Sequence, residues 1–241
     1  SVLARHPLGN DAQVAAHFDF LKSLGATAQA ATIVDAGLTR FPDSWLLHDR
    51  LRARLLAEKG AQALEPAYVE RLAQPGATVN QEWFAGYASI VAAEFERRVN
   101  KPAPAFEAYA RAIAHYERAI AANPASRDSS DHYVALALAG QARIELERGD
   151  FEAALDGLLA SFARRSESAA TLDGLNLSPA DTATMLRAKL VEAKRDELAA
   201  TLQAALDKLD PRLLELPAYE REGPRGATRN GRPPARGPGV R

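Results

Sequence analysis

The sequence predicts an all-α fold made of consecutive antiparallel helix pairs, and three observations lead to this prediction. Alanine makes up about a fifth of the 241 residues, and it is the best helix former and a poor strand former. Large apolar residues recur at spacings of three and four, which marks one face of a helix, whereas alternating runs of Val, Ile and Thr are absent. Prolines and glycines interrupt this pattern at intervals that suit short helices joined by turns.

Two helices are predicted in residues 10–41, and the first carries Val14, Phe18 and Leu21 on one face. Residues 1–7 resemble the last turns of a helix, so we expect the sequence to begin inside a repeat. The three apolar side chains would then lack a neighbouring helix on one side. We therefore expect an exposed apolar strip on this helix, or a homodimer formed through the N-terminal helices.

Three more helices are predicted in the next segment. One begins at Trp45 and ends at Gly60, and a shorter one opens at Pro66. The third is capped by Asn80 and runs to about Val99, with two apolar stripes that together form a wide buried face. A helix of this kind contacts neighbours on two sides, so we expect it to be central.

The clearest helical pattern lies in residues 104–165. Its first helix carries an unbroken apolar stripe and is stopped at Pro124. A second helix is predicted from near Asp131, with one of the serines just before it as the cap, and it ends at Gly149. Two adjacent stripes on this second helix predict contacts with helices on two sides. The stripe of the first helix consists of Phe106, Tyr109, Ile113, Tyr116 and Ile120.

The turn after this second helix resembles a known repeat. Gly149, Asp150 and Phe151 form a glycine–acid–aromatic sequence, and the small residues Ala142 and Ala154 lie on either side of it. These residues are similar to those of a tetratricopeptide repeat, a helix-turn-helix unit of about 34 residues. The resemblance implies a right-handed superhelix, or solenoid, whose groove binds a partner protein or peptide and which has no catalytic activity of its own. It also implies that Ala154 is buried where two helices cross.

The helical repeat domain is predicted to span residues 1–210 and to end in a long capping helix. Ser178 caps this helix and Pro179 lies in its first turn, and the pattern either runs unbroken to Asp210 or bends near Lys194. The outer face is charged, which suits the last helix of a solenoid because no further helix packs against it.

Residues 211–241 are predicted to be a disordered tail, because Gly, Pro and Arg dominate and few apolar residues remain to bury. Residues 223–241 contain five arginines and no acidic residue, and removing these five charges from the net charge of −1 leaves −6 on residues 1–222. An alternative function is therefore binding of nucleic acid or another polyanion through the tail. The arginines concerned are Arg225, Arg229, Arg232, Arg236 and Arg241.

Composition excludes several classes of site. The chain has no cysteine, which excludes disulfides, thiolate metal sites and a cysteine nucleophile. No apolar run approaches the roughly 20 residues needed to span a bilayer. The histidines lack metal-ligand spacing, so we expect no catalytic residues, no metal and no cofactor, and a helical appendage of an enzyme is a further alternative. The excess of arginine over lysine is typical of a GC-rich bacterial genome and leaves cytoplasm and periplasm open.

Six side chains are candidates for a partner-binding groove. The aromatic ones suit contact with a peptide, and the two arginines suit pairing with a carboxylate of the partner. The alternatives are ordinary core positions for the aromatic residues and a solvated helix face for the arginines. The six candidates are Trp83, Tyr87, Glu94, Arg98, Tyr133 and Arg143.

Overall fold

The computed structural model describes residues 9–214. Over that range the chain is helical and contains no β-strand, which confirms the predicted all-α class. Short 3-10 turns occupy Ala61–Ala63, Pro124–Ser126, Ser166–Ala170 and Pro211–Leu214. The α-helices of these residues are α1 (Asp11–Ser23), α2 (Thr27–Arg40), α3 (Trp45–Lys59), α4 (Leu64–Leu72), α5 (Gln81–Arg98), α6 (Pro102–Ala122), α7 (Arg127–Arg148), α8 (Phe151–Arg164), α9 (Pro179–Glu192) and α10 (Asp196–Leu206).

Helix contacts stay local in sequence. Each odd-numbered helix packs against the even-numbered helix that follows it, which gives five helical hairpins within the described residues. Each hairpin also contacts the next one, and α1–α3, α5–α7, α7–α9 and α8–α10 are contacts between helices two apart. Within the described residues, each hairpin is therefore in contact with the hairpins that precede and follow it in the sequence.

Local sequence sets several helix starts. In α1 the side chains of Asn10 and Gln13 each accept a hydrogen bond from the other residue's backbone N–H, which is a capping box. Ser178 and Asp181 form the same arrangement at the start of α9, as the sequence predicts. The carboxylate of Asp150 accepts a hydrogen bond from a backbone N–H in the first turn of α8.

The start of α7 differs from the prediction. The helix begins at Arg127 and not near Asp131, because the 3-10 turn Pro124–Ser126 leads directly into it. Ser129 consequently lies in the first turn of the helix, where its hydroxyl donates a hydrogen bond to the carbonyl of Ser126 instead of capping a helix start.

The predicted C-terminal helix is divided into α9 and α10. The division falls at Lys194, which has a left-handed φ of 55° and stops the regular helical hydrogen bonding. The bend near Lys194 was one of the two alternatives that the sequence left open.

Two apolar cores meet at α7. One side of the helix supplies Val134, Ala137 and Ile144 to a core that extends back to α1. The other side supplies Ala139, Ala142 and Leu146 to a second core formed with α8, α9 and α10. The predicted contacts of this helix on two sides are therefore confirmed.

The predicted apolar strip on α1 is not exposed. Val14 is 0% and Phe18 is 4% exposed, because both α2 and α3 pack against this helix. The large apolar residues that this hairpin does expose are Phe20 and Leu24. The homodimer stays a prediction, and the expected helix end in residues 1–8 lies outside the described residues.

A buried histidine lies between α3, α4 and α5. The ring of His48 stacks on Phe84 with centroids 3.7 Å apart. Its Nδ1 lies 3.0 Å from the hydroxyl of Tyr68, and its Nε2 lies 2.7 Å from the carbonyl oxygen of Pro42. Burial lowers the pKa of His48 from 6.5 to about 4, so this imidazole is neutral at pH 7.

Ala154 tests the packing of the fourth hairpin. The residue is fully buried, as predicted, so we expect Ala154→Leu to overpack the second core and lower the free energy of unfolding by roughly 1–3 kcal/mol. Ala160→Leu, at an exposed position of the same helix, is the matched control. Equal urea midpoints for the two variants would show that Ala154 does not lie where two helices cross closely.

Candidate functional site: an aromatic surface and a closing loop

Four aromatic side chains from three helices meet on one surface, here called the aromatic surface: Trp45 of α3, Trp83 and Tyr87 of α5, and Tyr133 of α7. The ring centroids of Trp45 and Tyr87 are 4.7 Å apart, and Tyr133 lies 5.4 Å from Trp83 and 5.3 Å from Tyr87. Trp45 is 41% exposed and the other three are half-buried. The sequence predicted three of these residues as groove residues, and the structure brings those three together.

A buried arginine supports the edge of this surface. The Arg52 guanidinium carbon lies 4.8 Å from the centroid of the Trp45 ring and 4.6 Å from that of Tyr87. The guanidinium also forms an ion pair of 3.6 Å with Asp49. Because aromatic faces attract cations, Arg52 holds the two rings in place from below. Trp45 and Arg52 are two helical turns apart, a spacing that places them on one face and that the sequence analysis missed.

A second layer of aromatic contact lies beneath the surface. The ring of Tyr116 stacks on Tyr133 with centroids 5.6 Å apart, and Tyr116 is fully buried. Burial raises the pKa of Tyr133 to about 12, so its hydroxyl keeps its proton at neutral pH. The indole N–H of Trp83 is buried and has no hydrogen-bond partner within residues 9–214.

A connecting segment contacts the far end of α5. Residues 171–177, here called the closing loop, join the fourth hairpin to α9. Glu94 accepts a hydrogen bond of 2.8 Å from the backbone N–H of Gly174, and Arg98 donates one to the Gly174 carbonyl. A Cβ at position 174 would overlap the Glu94 carboxylate as it lies here, so a larger residue would displace that carboxylate from its hydrogen bond with the loop.

Arg143 fixes the other side of the closing loop. It is 1% exposed, and its guanidinium forms an ion pair of 3.1 Å with Asp173. It also donates to the hydroxyl of Thr182 and, at 3.0 Å, to the carbonyl of Ser178, both at the start of α9. The observed partners of Arg143 are therefore all within the chain.

The six predicted groove residues thus fall into two groups. Trp83, Tyr87 and Tyr133 belong to the aromatic surface, whereas Glu94, Arg98 and Arg143 hold the closing loop. Along α5 the separation between Tyr87 and Glu94 is seven residues, or about 10 Å of helix. The closing loop therefore bounds the aromatic surface on this side.

The predicted cap of α5 has a different role. Asn80 makes no side-chain capping bond. Its amide nitrogen donates to Asp43 at 2.9 Å, and its amide oxygen accepts from Asn123 at 3.0 Å. Three inter-helix turns are joined in this way at one end of the molecule, and no local sequence pattern predicts such a contact.

Other classes of site have no counterpart in the part of the chain that the structure describes. No group of three or more His, Asp or Glu side chains there is arranged to hold a metal ion. None of its helices is long and apolar enough to cross a membrane. The five tail arginines, Arg225 to Arg241, lie outside the described residues. Among known proteins, no family profile matches the chain and no curated sequence is significantly similar to it.

Arg143 is expected to be essential for stability. Arg143→Met keeps most of the side-chain length but leaves the Asp173 carboxylate and two oxygens of α9 without their donor. Loss of one partner from a buried ion pair costs roughly 3–5 kcal/mol of unfolding free energy. Arg148→Met, on the exposed face of the same helix, is the control and should cost no more than about 1 kcal/mol. Similar urea midpoints for both variants would contradict this assignment.

Glu94 is expected to make stability depend on pH. Burial and the nearby Asp173 raise the pKa of Glu94 from 4.5 to about 7, against the opposing effects of the Gly174 hydrogen bond, Arg98 and Arg97. The folded state thus favours the protonated carboxyl. The contribution of Glu94 to the free energy of unfolding is complete below pH 4.5 and is lost as the pH rises to about 7.

The test compares Glu94→Gln, which cannot ionise, with the native chain. The stability of the variant relative to the native chain should rise between pH 4.5 and 7.5, by up to roughly 3 kcal/mol. Urea denaturation at a series of pH values measures this difference, with exposed Glu107→Gln as the control. A constant difference across that range would mean that Glu94 ionises normally in the folded chain.

Proposed function

We propose that this protein is a tetratricopeptide-like scaffold that binds an extended segment of a partner protein on the aromatic surface and has no catalytic activity of its own. The observation that carries the proposal is that surface, where aromatic side chains from three successive hairpins meet while remaining partly exposed. Aromatic residues supply much of the binding energy in protein interfaces.

The helix arrangement supports the repeat interpretation. The aromatic residues lie on α3, α5 and α7, the first helices of consecutive hairpins. In a tetratricopeptide-like superhelix the first helices line one face, and contacts between hairpins are local, as they are here. The glycine–acid–aromatic turn at Gly149 and the buried Ala154 are consistent with the same interpretation.

The position of the closing loop limits where a peptide can lie. The closing loop bounds the surface beside α5, so the peptide is expected to lie on the side of Tyr87 away from Glu94.

Selection of ligands from a random-peptide display library against the full chain tests the proposal. We expect selected peptides to bind saturably, and Trp45→Ala and Tyr87→Ala each to weaken them by roughly tenfold or more. Fluorescence polarisation of a labelled peptide measures this change, and circular dichroism checks that each variant is folded. Phe20→Ala, at an exposed apolar position on α1, should leave affinity unchanged. Peptides that bind the Trp45→Ala and Tyr87→Ala variants as tightly as the native chain would contradict the proposed surface.

A further inference from the structure

A small cavity opens beside Trp83 at one end of the aromatic surface. Its volume is about 260 Å³. Trp83 and Phe84 form its apolar wall, and Asp43, Asn80, Asn123 and Ser129 contribute polar groups from three other segments. Sites for drug-sized ligands measure roughly 300–1,000 Å³, so this cavity suits a single side chain.

Asp43 is the only one of those groups that carries a charge. Its carboxylate accepts hydrogen bonds from the hydroxyl of Thr78 and the amide of Asn80, which fix its orientation. Neither donor is charged, and no lysine or arginine among residues 9–214 forms an ion pair with Asp43. The nearby His48 is neutral because burial lowers its pKa to about 4. The cavity therefore contains an oriented negative charge that has no cationic partner among the residues that the structure describes.

We infer that this cavity accepts a basic side chain, lysine or arginine, from the partner peptide. The inference rests on the proposed function and adds a sequence preference to it. The alkyl part of the side chain packs against Trp83 and Phe84, and its cation pairs with Asp43. Trp83 belongs both to the aromatic surface and to the cavity, so a peptide on the surface reaches the cavity with a neighbouring residue.

Other side chains fit the cavity less well. An acidic side chain would be repelled by Asp43. An apolar side chain would remove water from the Asp43 carboxylate without replacing the lost interaction, which is unfavourable. A basic side chain satisfies the aromatic wall with its alkyl part and the carboxylate with its charge.

The cavity can be tested without knowing the partner. The chain has two tryptophans, so Trp45→Phe leaves Trp83 as the single indole reporter. Its fluorescence is titrated with N-acetyl-lysine amide and with N-acetyl-norleucine amide, which has the same alkyl part and no charge. We expect the lysine probe to bind roughly tenfold more tightly, from its ion pair and its contact with the indole face.

Substitutions then locate the interaction. Asp43→Asn should remove the preference for lysine, whereas Asp156→Asn, at an exposed acid on α8, should keep it. If Asp43→Asn does not fold, salt provides a second test, because high ionic strength should weaken the lysine probe and not the norleucine probe. Equal affinities for the two probes, or a preference that survives Asp43→Asn, would overturn the inference.

The test of the cavity and the test of peptide binding can fail independently of each other. Selected peptides that bind the aromatic surface but show no enrichment of lysine or arginine would overturn the cavity assignment alone. Binding of the lysine probe as described, with no peptide selected at all, would support the cavity and contradict the peptide-binding function.

Discussion

The buried ion pair between Arg143 and Asp173 determines how the C-terminal third of the described chain is placed. A guanidinium with 1% exposure is stable only when acceptors surround it, and here they come from the closing loop and from α9. Once Asp173 is held, the next residue, Gly174, lies against Glu94 and Arg98. The Arg143 network therefore joins α7 to the closing loop and to the start of α9, and it adds to the apolar packing of α9 in the second core.

The helix that carries Arg143 also connects the two cores. One side of α7 packs with the helices before it and the other side with those after it. Tyr133, near its N-terminal end, is part of the aromatic surface, and Arg143 lies about ten residues further on, toward the closing loop. Because α7 carries residues of both the second core and the aromatic surface, a change in the packing of the second core that shifts α7 would also shift Tyr133.

The parts of the structure that could be predicted are those with a local cause. Helical periodicity placed Trp83 and Tyr87 one turn apart on one face, and cap chemistry placed the start of α9 at Ser178. The role of Arg143 could not be found in this way, because its partner Asp173 is 30 residues distant in a segment without periodicity. The contact between Glu94 and Gly174 spans 80 residues and depends on a missing Cβ, which no pattern in either segment reveals.

The buried His48 has a consequence for acid tolerance when it is considered together with Glu94. The fold disfavours protonation of His48, so the contribution of this residue to stability is complete above pH 6.5 and is lost as the pH falls toward 4. Glu94 acts in the opposite direction between pH 4.5 and 7. Between pH 4.5 and 6.5 the contribution of His48 to the free energy of unfolding rises with pH and that of Glu94 falls, each by up to roughly 1.4 kcal/mol per pH unit. The pH dependences of these two groups therefore oppose each other under mildly acidic conditions, and each reduces the change in stability that the other alone would cause.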